Sequence, residues 1–324
     1  MDKKDIILFG MDNSIGLAEK ISKLLDLPLT KIKTTTFADG ENMLVSEEPV
    51  RGKDVFIIAS NSRPVNDNIM KLSLFLDSLK RASARTITVC LTYYGYARQD
   101  RKASGRQPIG AKLVANFLQV AGATKLICVD LHNPSIQGFF DIPLDDLKGQ
   151  YTIGNVLKES KKKFTVVSPD HGGTVRARRL AEIIDNSLKI VVIDKRRVGE
   201  NQTEVMGIIG EIGEENAVII DDIIDTGGTI LKAAKSLKEK GAKDIVIAAT
   251  HGIFSRGFEM FEEADYVSQV IVTDSIDNSE LAKKFSKLKI VSLATFLANV
   301  IRAQVNHESV SKVYSDMKEE ISAK

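Results

Sequence analysis

The chain has 324 residues, of which 43% are hydrophobic and 27% charged. That length suggests about two globular domains, and the composition excludes a disordered chain, a collagen and a coiled coil. Lysines and arginines number 45 against 43 acidic residues, so the net charge is only +2. A general nucleic-acid coat would need a clear basic excess, and we therefore expect no nucleic acid among the partners.

The cysteines and the apolar runs indicate a cytoplasmic protein. Cys90 and Cys128 both lie inside apolar runs, where free thiols behave as small buried hydrophobes, so we expect no disulfide framework. The first eleven residues contain only four consecutive apolar positions, too few for a signal peptide. No apolar run approaches the roughly 18–20 residues of a membrane span, so we expect no membrane partner.

Short apolar runs alternate with amphipathic stretches in chain order. The runs predict strands at residues 6–9, 55–59, 86–91, 126–130, 165–168, 190–194, 217–220 and 245–250, and apolar spacing predicts helices over 66–81 and 229–240. The repetition of strand, helix and strand predicts an α/β fold with mainly parallel sheets flanked by helices. The strands are nearly continuous apolar runs, which is typical of sheets covered on both faces.

A faint internal repeat divides the chain. Residues 78–87 (SLKRASARTI) align with residues 236–245 (SLKEKGAKDI), and a short apolar run precedes each. We interpret this as a duplication, although all βαβ units share such a pattern. The predicted domains are 1–148 and 149–313, with the last helix of the second packing back on the first. A polar tail over 314–324 is expected to be loosely ordered.

The most specific motif is AVIIDDIIDTGGT, residues 217–229. Its candidate residues are Asp221, Asp222, Asp225, Thr226, Gly227, Gly228 and Thr229. Adjacent glycines at a helix start let backbone amides approach a phosphate, whereas carboxylates repel phosphate and suit sugar hydroxyls or a metal ion. The motif predicts a sugar-phosphate site. The alternative, a capped helix with a solvated acidic turn, does not explain so specific a pattern.

A second segment of this type is SPDHGGT, residues 168–174. It follows a predicted strand and opens a helix, and its candidates are Asp170, His171, Gly172 and Gly173. Paired glycines at a helix start suit a phosphate or diphosphate, and the Asp170 carboxylate can hold a metal ion that bridges phosphate oxygens. A plain strand–helix turn is the alternative, but two such loops in one chain favour diphosphate chemistry.

A run of three cations, which includes Lys195 and Arg197, follows the strand predicted over 190–194. Charge runs are usually solvated surface. In a chain of balanced charge with two phosphate loops, we interpret this one as catalytic, since such cations neutralise the negative charge of diphosphoryl transfer. We expect the run to lead into a mobile polar loop that closes over the site.

Three further segments give weaker signals. The basic loop 94–102 has as candidate nucleotide ligands Arg98, Gln99, Asp100 and Arg101. The turn 37–41 has Phe37, Asp39, Gly40 and Glu41, an aromatic ring and acids that suit a base with an amino group. His132, at a strand end, is a candidate ligand for a metal or a phosphate. The alternatives are an ordinary basic loop, an ordinary turn and a structural histidine.

Taken together, these motifs resemble a known family. The DDIIDTGGT segment resembles the phosphoribosyl-diphosphate loop of the type I phosphoribosyltransferase fold. In their order FADGE, RQDRK, DLH, SPDHGG, DKRR and DDIIDTGGT, the segments resemble the ribose-phosphate pyrophosphokinase family over nearly the whole chain. The resemblance implies two related type I phosphoribosyltransferase-like domains. It also implies Mg²⁺-dependent transfer of the β,γ-diphosphoryl group of ATP to the anomeric hydroxyl of ribose 5-phosphate, with release of AMP.

The same resemblance implies a role for each candidate. Residues 225–229 hold the 5-phosphate, Asp221 and Asp222 the ribose hydroxyls, and residues 170–173 the diphosphate. Lys195 and Arg197 stabilise the transition state. Residues 98–101 and His132 contact ATP, with His132 and Asp170 as ligands of Mg²⁺. Residues 37–41 reach the adenine from a neighbouring subunit of a homo-oligomer, commonly a hexamer. The product supplies purine, pyrimidine, histidine and NAD biosynthesis.

Some positions depart from the family pattern. Residues 103–106 are Ala-Ser-Gly-Arg where the family has Ala-Arg-Ser-Arg, and Pro49 stands where the family has a serine. One arginine and one hydroxyl donor are thus missing, so we expect weaker control by phosphate and ADP. Asn133-Pro134-Ser135 after His132 is also unusual, with no evident consequence. The competing hypotheses are a phosphoribosyltransferase, disfavoured by the two related halves, and a non-catalytic homologue, disfavoured by the intact cations and glycines.

Overall fold

The computed structural model describes residues 5–199, 202–212 and 216–322, which form two compact units. The first unit contains the chain up to Lys148, together with Ser275–Asp277 and Leu293–Val310. The second contains Gly149–Asp274, Asn278–Ser292 and the chain from Ser311 onwards. In sequence order, the chain therefore leaves the first unit for residues 149–274 of the second and returns to the first at 275–277 and 293–310.

Strands and helices alternate along most of the chain. The strands are β1 (Ile6–Gly10), β2 (Leu29–Thr30), β3 (Ile32–Thr36), β4 (Asn42–Ser46), β5 (Asp54–Ala59), β6 (Thr86–Leu91), β7 (Lys125–Val129), β8 (Leu144–Leu147), β9 (Phe164–Ser168), β10 (Ile190–Gly199), β11 (Gln202–Ile209), β12 (Asn216–Ile224), β13 (Ile245–Gly252), β14 (Gln269–Thr273) and β15 (Leu288–Val291). The helices are α1 (Ile15–Leu25), α2 (Val65–Arg81), α3 (Gly110–Ala121), α4 (Gln150–Glu159), α5 (Thr174–Ile184), α6 (Gly228–Glu239), α7 (Glu259–Glu263), α8 (Ser279–Lys284), α9 (Ala294–Val305) and α10 (Val310–Ser322). None of these helices is long and apolar enough to cross a membrane.

A parallel sheet forms the centre of the first unit. Within the described residues its strand order is β2-β1-β5-β6-β7-β8, and β3 and β4 form a separate antiparallel hairpin. Helix α2 shows how the sequence covers this sheet. Its buried residues recur every three or four positions, the period of one helix face, at Ile69, Leu72, Phe75, Leu76 and Leu79. Helix α9 joins this unit through Arg302, which donates to the Leu24 carbonyl.

The second unit has the same kind of sheet. Among the described residues the strand order is β11-β10-β9-β12-β13-β14-β15, with every pair parallel except β10 and β11. Successive residues of β12 belong to separate hydrophobic clusters, Ala217 and Ile219 to one and Val218 and Ile220 to the other, because strand residues alternate between the two faces. The predicted α/β fold with mainly parallel, helix-flanked sheets is confirmed.

Each sheet has one point where the strand order changes direction. In the first unit, β1 lies between β2 and β5; in the second, β9 lies between β10 and β12. Open α/β sheets bind ligands outside the carboxyl ends of the strands at such a point. The segments that follow β9 and β12 are SPDHGG and DTGG, two of the motifs that the sequence analysis selected. The topology therefore brings both to the same sheet edge.

Two expectations about the backbone were wrong. A loop was expected after Asp194, but β10 continues to Gly199 and pairs antiparallel with β11, with Lys195 opposite Val205. The tail was expected to be loosely ordered, but residues up to Ser322 form α10. The reason is that Val313, Met317 and Ile321 recur at helical spacing, and Ile321 is only 5% exposed.

Candidate functional site in the second unit and its counterpart in the first

Two adjacent carboxylates lie near the carboxyl end of β12. Because β12 extends to Ile224, Asp221 and Asp222 belong to the strand. Arg176 of α5 joins them: its Nη1 donates to Asp221 Oδ1 at 3.0 Å, and its Nη2 lies 3.3 Å from Asp222 Oδ1. The side chain of Asp222 is 7% exposed and that of Asp221 28%. Burial, and then the Asp222 charge, hold the pKa of Asp221 well above its usual range despite Arg176.

Arg176 is not among the residues that the motifs predicted. It lies in α5, three residues after Gly173 of the SPDHGG loop, so it links this loop to the two carboxylates of β12. Three arginines lie in the same helix, at 176, 178 and 179. Nothing in their spacing distinguishes the one that reaches β12, and the contact became visible only with the parallel pairing of β9 and β12.

The Asp221→Asn variant is expected to be more stable than the wild type, by a margin that grows with pH. A carboxyl whose pKa is raised by folding binds more protons in the folded than in the unfolded state, so stability falls as pH rises above about 4. Asparagine removes this loss and keeps an oxygen for Arg176. Thermal unfolding between about pH 4 and pH 8 measures the difference in Tm.

Asp185→Asn is the matched control for this measurement. Hydrogen bonds from Ser187 lower the pKa of Asp185 below its usual range, so this carboxylate stabilises the fold above the ordinary pKa and the contribution is lost at lower pH. Its variant should lose stability relative to the wild type as pH rises, opposite to Asp221→Asn. A Tm difference for Asp221→Asn that does not change with pH contradicts the assigned pKa direction.

The turn between β12 and α6 depends on Gly227. Its φ is +79°, and a Cβ there would lie 2.6 Å from Phe261 Cζ and 2.8 Å from Met260 Sδ. Only glycine meets both requirements without strain. At Gly228, the first residue of α6, an added Cβ would have no atom within 4 Å beyond those of its chain neighbours and of its own helix backbone. Two adjacent residues without side chains, Gly227 and Gly228, therefore stand at the start of α6, which suits a bound phosphate.

The SPDHGG loop after β9 is closed by its own hydrogen bonds. Ser168 Oγ donates to the Asp170 carbonyl at 2.6 Å, and the Gly173 amide donates to Asp170 Oδ1 at 2.9 Å. A Cβ at Gly173 would lie 2.8 Å from Ser168 Oγ, so the glycine allows the close approach. Thr174 Oγ1 donates to the His171 carbonyl and begins α5. These hydrogen bonds fix the conformation of the loop.

His171 connects this loop to the end of the next strand. Its Nε2 lies 3.1 Å from Oδ1 of Asp194, the residue that precedes Lys195 in β10. The side chains of residues 195–199 and 202–205 lie outside the described ones, so Lys195 and Arg197 are located only by the backbone of their strand. The backbone of β10 lies close to the SPDHGG loop at Asp194, immediately before Lys195.

In the first unit, two of the remaining candidate segments lie on the loops after β6 and β7. Residues 98–101 follow β6, where the Gln99 amide donates to the Tyr96 carbonyl at 2.9 Å. His132 follows β7 and is exposed. The residue before its loop, Asp130, has a φ of +43°, an unusual conformation for a residue other than glycine.

Asp146 anchors the loop that carries His132. Its Oδ1 accepts the Leu131 amide at 3.0 Å, and its Oδ2 accepts from Lys148. The Asp130 amide donates to the Leu147 carbonyl at 2.7 Å. Burial raises the pKa of Asp146 more than Lys148 lowers it. Asp146 is not predictable from the sequence, because a lone acidic pair in a short strand, LDDL, carries no recognisable signal.

Residues 37–41 form the tip of the β3–β4 hairpin. The Phe37 amide donates to the Glu41 carbonyl at 2.8 Å, the Glu41 amide donates to Asp39 Oδ1 at 3.1 Å, and Gly40 has a φ of +94°. The Phe37 ring is exposed. The tip therefore presents an aromatic ring and acids on a hairpin that is separate from the six-stranded sheet.

Each candidate metal ligand is a single side chain and not part of a cluster of ligating side chains. In the part of the chain that the structure describes, no three His, Cys, Asp or Glu side chains form a metal cluster. Asp170 and His132 are both exposed. Mg²⁺ usually keeps several waters and takes one or two carboxylates together with substrate phosphates. An exposed carboxylate beside a phosphate-type loop fits a magnesium ion that arrives with a nucleotide.

Comparison with known proteins agrees with the geometry over nearly the whole chain. Residues 6–122 match the N-terminal domain of ribose phosphate pyrophosphokinase, and residues 185–315 match the phosphoribosyl synthetase-associated domain. The chain is 62% identical over 315 residues to a ribose-phosphate pyrophosphokinase of Mycoplasmopsis pulmonis, covering 97% of this chain and 98% of the relative. It is 45% identical to one of Fusobacterium nucleatum, covering 96% and 98%.

A solved structure extends the match to three dimensions. The phosphoribosylpyrophosphate synthetase of Mycobacterium smegmatis superposes with a TM-score of 0.86 at 38% identity, covering 94% of this chain and all of that one. The protein is thus an α/β enzyme with mainly parallel sheets flanked by helices, a transferase. More narrowly, the chain belongs to the ribose-phosphate pyrophosphokinase family of diphosphotransferases.

Proposed function

We propose that the protein synthesises 5-phospho-α-D-ribose 1-diphosphate from ATP and ribose 5-phosphate and releases AMP. The observation that carries this proposal is the meeting of two anion-type loops at one sheet edge, bridged by Arg176, in a chain of this family. One loop suits a sugar phosphate and the other suits a diphosphate. Their adjacency is the arrangement that diphosphoryl transfer to a sugar hydroxyl requires. The product feeds purine, pyrimidine, histidine and NAD biosynthesis.

Ribose 5-phosphate occupies the β12–α6 segment. Residues 225–229 bind the 5-phosphate with amides of the turn and of the helix start, where the helix dipole favours negative charge. Asp221 and Asp222 accept hydrogen bonds from the ribose hydroxyls, and Arg176 balances part of their charge. The sugar is thereby held with its anomeric hydroxyl turned toward the SPDHGG loop.

Residues 170–173 receive the diphosphoryl group, and Lys195 and Arg197 act on the transition state. Negative charge spreads over the phosphoryl oxygens as the bond to AMP breaks, and fixed cations stabilise it without forming a covalent intermediate. Both cations belong to β10, whose residue Asp194 contacts His171 of the loop. Closure of the β10–β11 hairpin over the substrates excludes water from the transfer.

ATP is bound by the first unit. Residues 98–101 and His132 contact the nucleotide, and residues 37–41, exposed on their hairpin, meet the adenine of a neighbouring subunit. His132 and Asp170 would each act as a Mg²⁺ ligand, and the bound ion would supply positive charge that stabilises the transferring phosphates. These exposed single donors suit an ion that completes its ligands with water and phosphate oxygens.

The surface of the first unit supports a homo-oligomer, which we take to be a hexamer. Helices α2 and α3 border a groove of about 860 Å³ lined by Met70, Leu113, Phe117 and Val120. Val120 is 76% exposed and Phe117 47%, and contiguous apolar surface of this kind favours burial against another copy.

The buried free thiols of Cys90 and Cys128 support a cytoplasmic location. Weaker control by phosphate and ADP remains a prediction from the sequence.

Formation of AMP from ATP is the test of this function. Purified full-length protein is mixed with ATP, Mg²⁺ and ribose 5-phosphate, and AMP is followed by chromatography. We expect AMP to form only when all three are present, in equal amount with 5-phosphoribosyl 1-diphosphate. Absence of AMP from a folded sample contradicts the proposal.

A second reaction separates the proposal from a phosphoribosyltransferase. The protein is incubated with 5-phosphoribosyl 1-diphosphate and a nucleobase, without ATP. We expect no nucleotide, because the chain combines the sugar-phosphate loop with a separate diphosphate loop and the cations of β10. Nucleotide formation here, together with no AMP in the first assay, assigns the protein to the enzymes that consume this compound.

A further inference from the structure

Asn133 makes two hydrogen bonds with opposite ends of its amide. Its Oδ1 accepts the Ser135 amide at 3.0 Å, which caps the short 3₁₀ helix Pro134–Phe139. Its Nδ2 donates to Oδ2 of Asp100 at 2.5 Å. The departure from the family pattern at residues 133–135 therefore has a structural counterpart, a contact between two separate loops.

The contact joins the two loops to which the proposed function assigns ATP. Asp100 follows Arg98 and Gln99 after β6, and Asn133 follows His132 after β7. Strands β6 and β7 pair in parallel, so both loops leave the same edge of the sheet. The side chains of Asn133 and Asp100 thus connect the two loops. Their hydrogen bond has a carboxylate as acceptor, which makes it one of the stronger kinds in proteins.

Both loops are held at other points as well. The Leu131 amide is bound by Asp146, and the Gln99 carbonyl accepts the Ala111 amide of α3 at 3.2 Å. His132 therefore lies between an anchored residue on one side and Asn133 on the other. Asp100 directly follows the Gln99 anchor, and the Asn133 side chain ties it to the loop of His132.

We propose that Asn133 is a positioning residue for ATP, which sets the spacing between the loop of residues 98–101 and the loop of His132 without contacting the reacting atoms. This inference rests on the proposed function of these loops. Preformed spacing reduces the ordering that the nucleotide must impose on binding. Loss of the bond then weakens ATP binding but leaves kcat, the rate once both substrates are bound, nearly unchanged.

The sharpest variant is Asn133→Asp, which is nearly isosteric. The aspartate keeps an oxygen for the Ser135 amide and remains a good helix cap, but it turns a carboxylate toward Asp100 in place of a donor. We expect KM for ATP, and Kd for ATP by titration calorimetry without ribose 5-phosphate, to rise on the order of tenfold. We expect kcat and KM for ribose 5-phosphate to change less than about twofold.

Two control variants separate the bond from the cap and from the added charge. Asn133→Ser keeps a cap acceptor but is too short to reach Asp100, so KM for ATP should rise, by less than for the aspartate. Ser135→Asp adds the same charge to the same short helix, at an exposed position, and should leave KM for ATP within about twofold of the wild type. The Tm values of all variants are measured beside their kinetics.

An exchange of donor and acceptor gives the decisive comparison. In Asn133→Asp with Asp100→Asn, the amide and the carboxylate change places and the hydrogen bond is restored. Because Asp100→Asn keeps an oxygen that accepts from Asn133, we expect the double variant to bind ATP more tightly than Asn133→Asp, a recovery that independent contributions do not produce. Equal weakening by Ser135→Asp and Asn133→Asp, unchanged ATP binding in Asn133→Asp, or additive single effects each overturn the proposal. A wild type that binds ATP but forms no AMP refutes the proposed function instead.

Discussion

Replacement of Lys195 by alanine is expected to reduce kcat by about 10³-fold or more, with KM for both substrates changed only severalfold. A cation that meets charge developing in phosphoryl transfer contributes 10³–10⁵ in rate, and it acts on the transition state more than on the bound substrates. The structure fixes the backbone of Lys195 in the middle of β10, since the neighbouring Asp194 contacts His171 and Lys195 pairs with Val205. Initial rates of AMP formation measure the effect.

Arg196→Ala is the matched control for Lys195→Ala. It removes one positive charge from the same strand, between the two residues to which the family resemblance assigns the transition state. We expect its kcat to fall less than about tenfold, because general loss of positive charge changes long-range attraction only modestly at physiological salt. Equal losses in the two variants mean that net charge and not Lys195 itself supports the reaction.

The strands that the sequence predicted share one property, which explains why they were found. Those at β5, β6, β7, β9, β12 and β13 are central and nearly all apolar, so their composition alone distinguishes them from helices. The edge strand β15 and the hairpin β3–β4 were not predicted, because their alternating or polar residues resemble loops. Strand β10 was predicted only as far as Asp194 and β11 was not predicted, because the three cations that follow Asp194 have the composition of solvated surface.

The candidate site divides in the same way between local and long-range features. SPDHGG and DTGG are local signals, since paired glycines and a helix start follow one another in the sequence. Arg176, Asp146 and Asn133 act across 45, 15 and 33 residues of sequence, and each depends on strand pairing for its partner. No spacing rule within one segment predicts such contacts, so the structure was needed to find them.

Gly227→Ala is expected to lower kcat/KM for ribose 5-phosphate on the order of 100-fold. An alanine at φ +79° takes on backbone strain of roughly 1–2 kcal/mol, and its Cβ would overlap Phe261 and Met260. Phe261 is fully buried against Phe258, with ring centroids 5.2 Å apart, so it cannot give way easily. The turn must shift, and a displacement of about 1 Å at a substrate site is enough for a 100-fold loss.

Gly228→Ala tests whether this loss comes from Gly227 in particular. Residue 228 begins α6, its φ is not positive, and its Cβ position is open, so alanine fits and favours the helix by up to about 1 kcal/mol. We expect its Tm to match or exceed that of the wild type and its loss of kcat/KM to be at least tenfold smaller than that of Gly227→Ala. Similar losses in both variants mean that the loop tolerates no Cβ near the phosphate, whatever its backbone conformation. A loss in Gly227→Ala alone assigns the effect to the turn that the packing of Phe261 imposes.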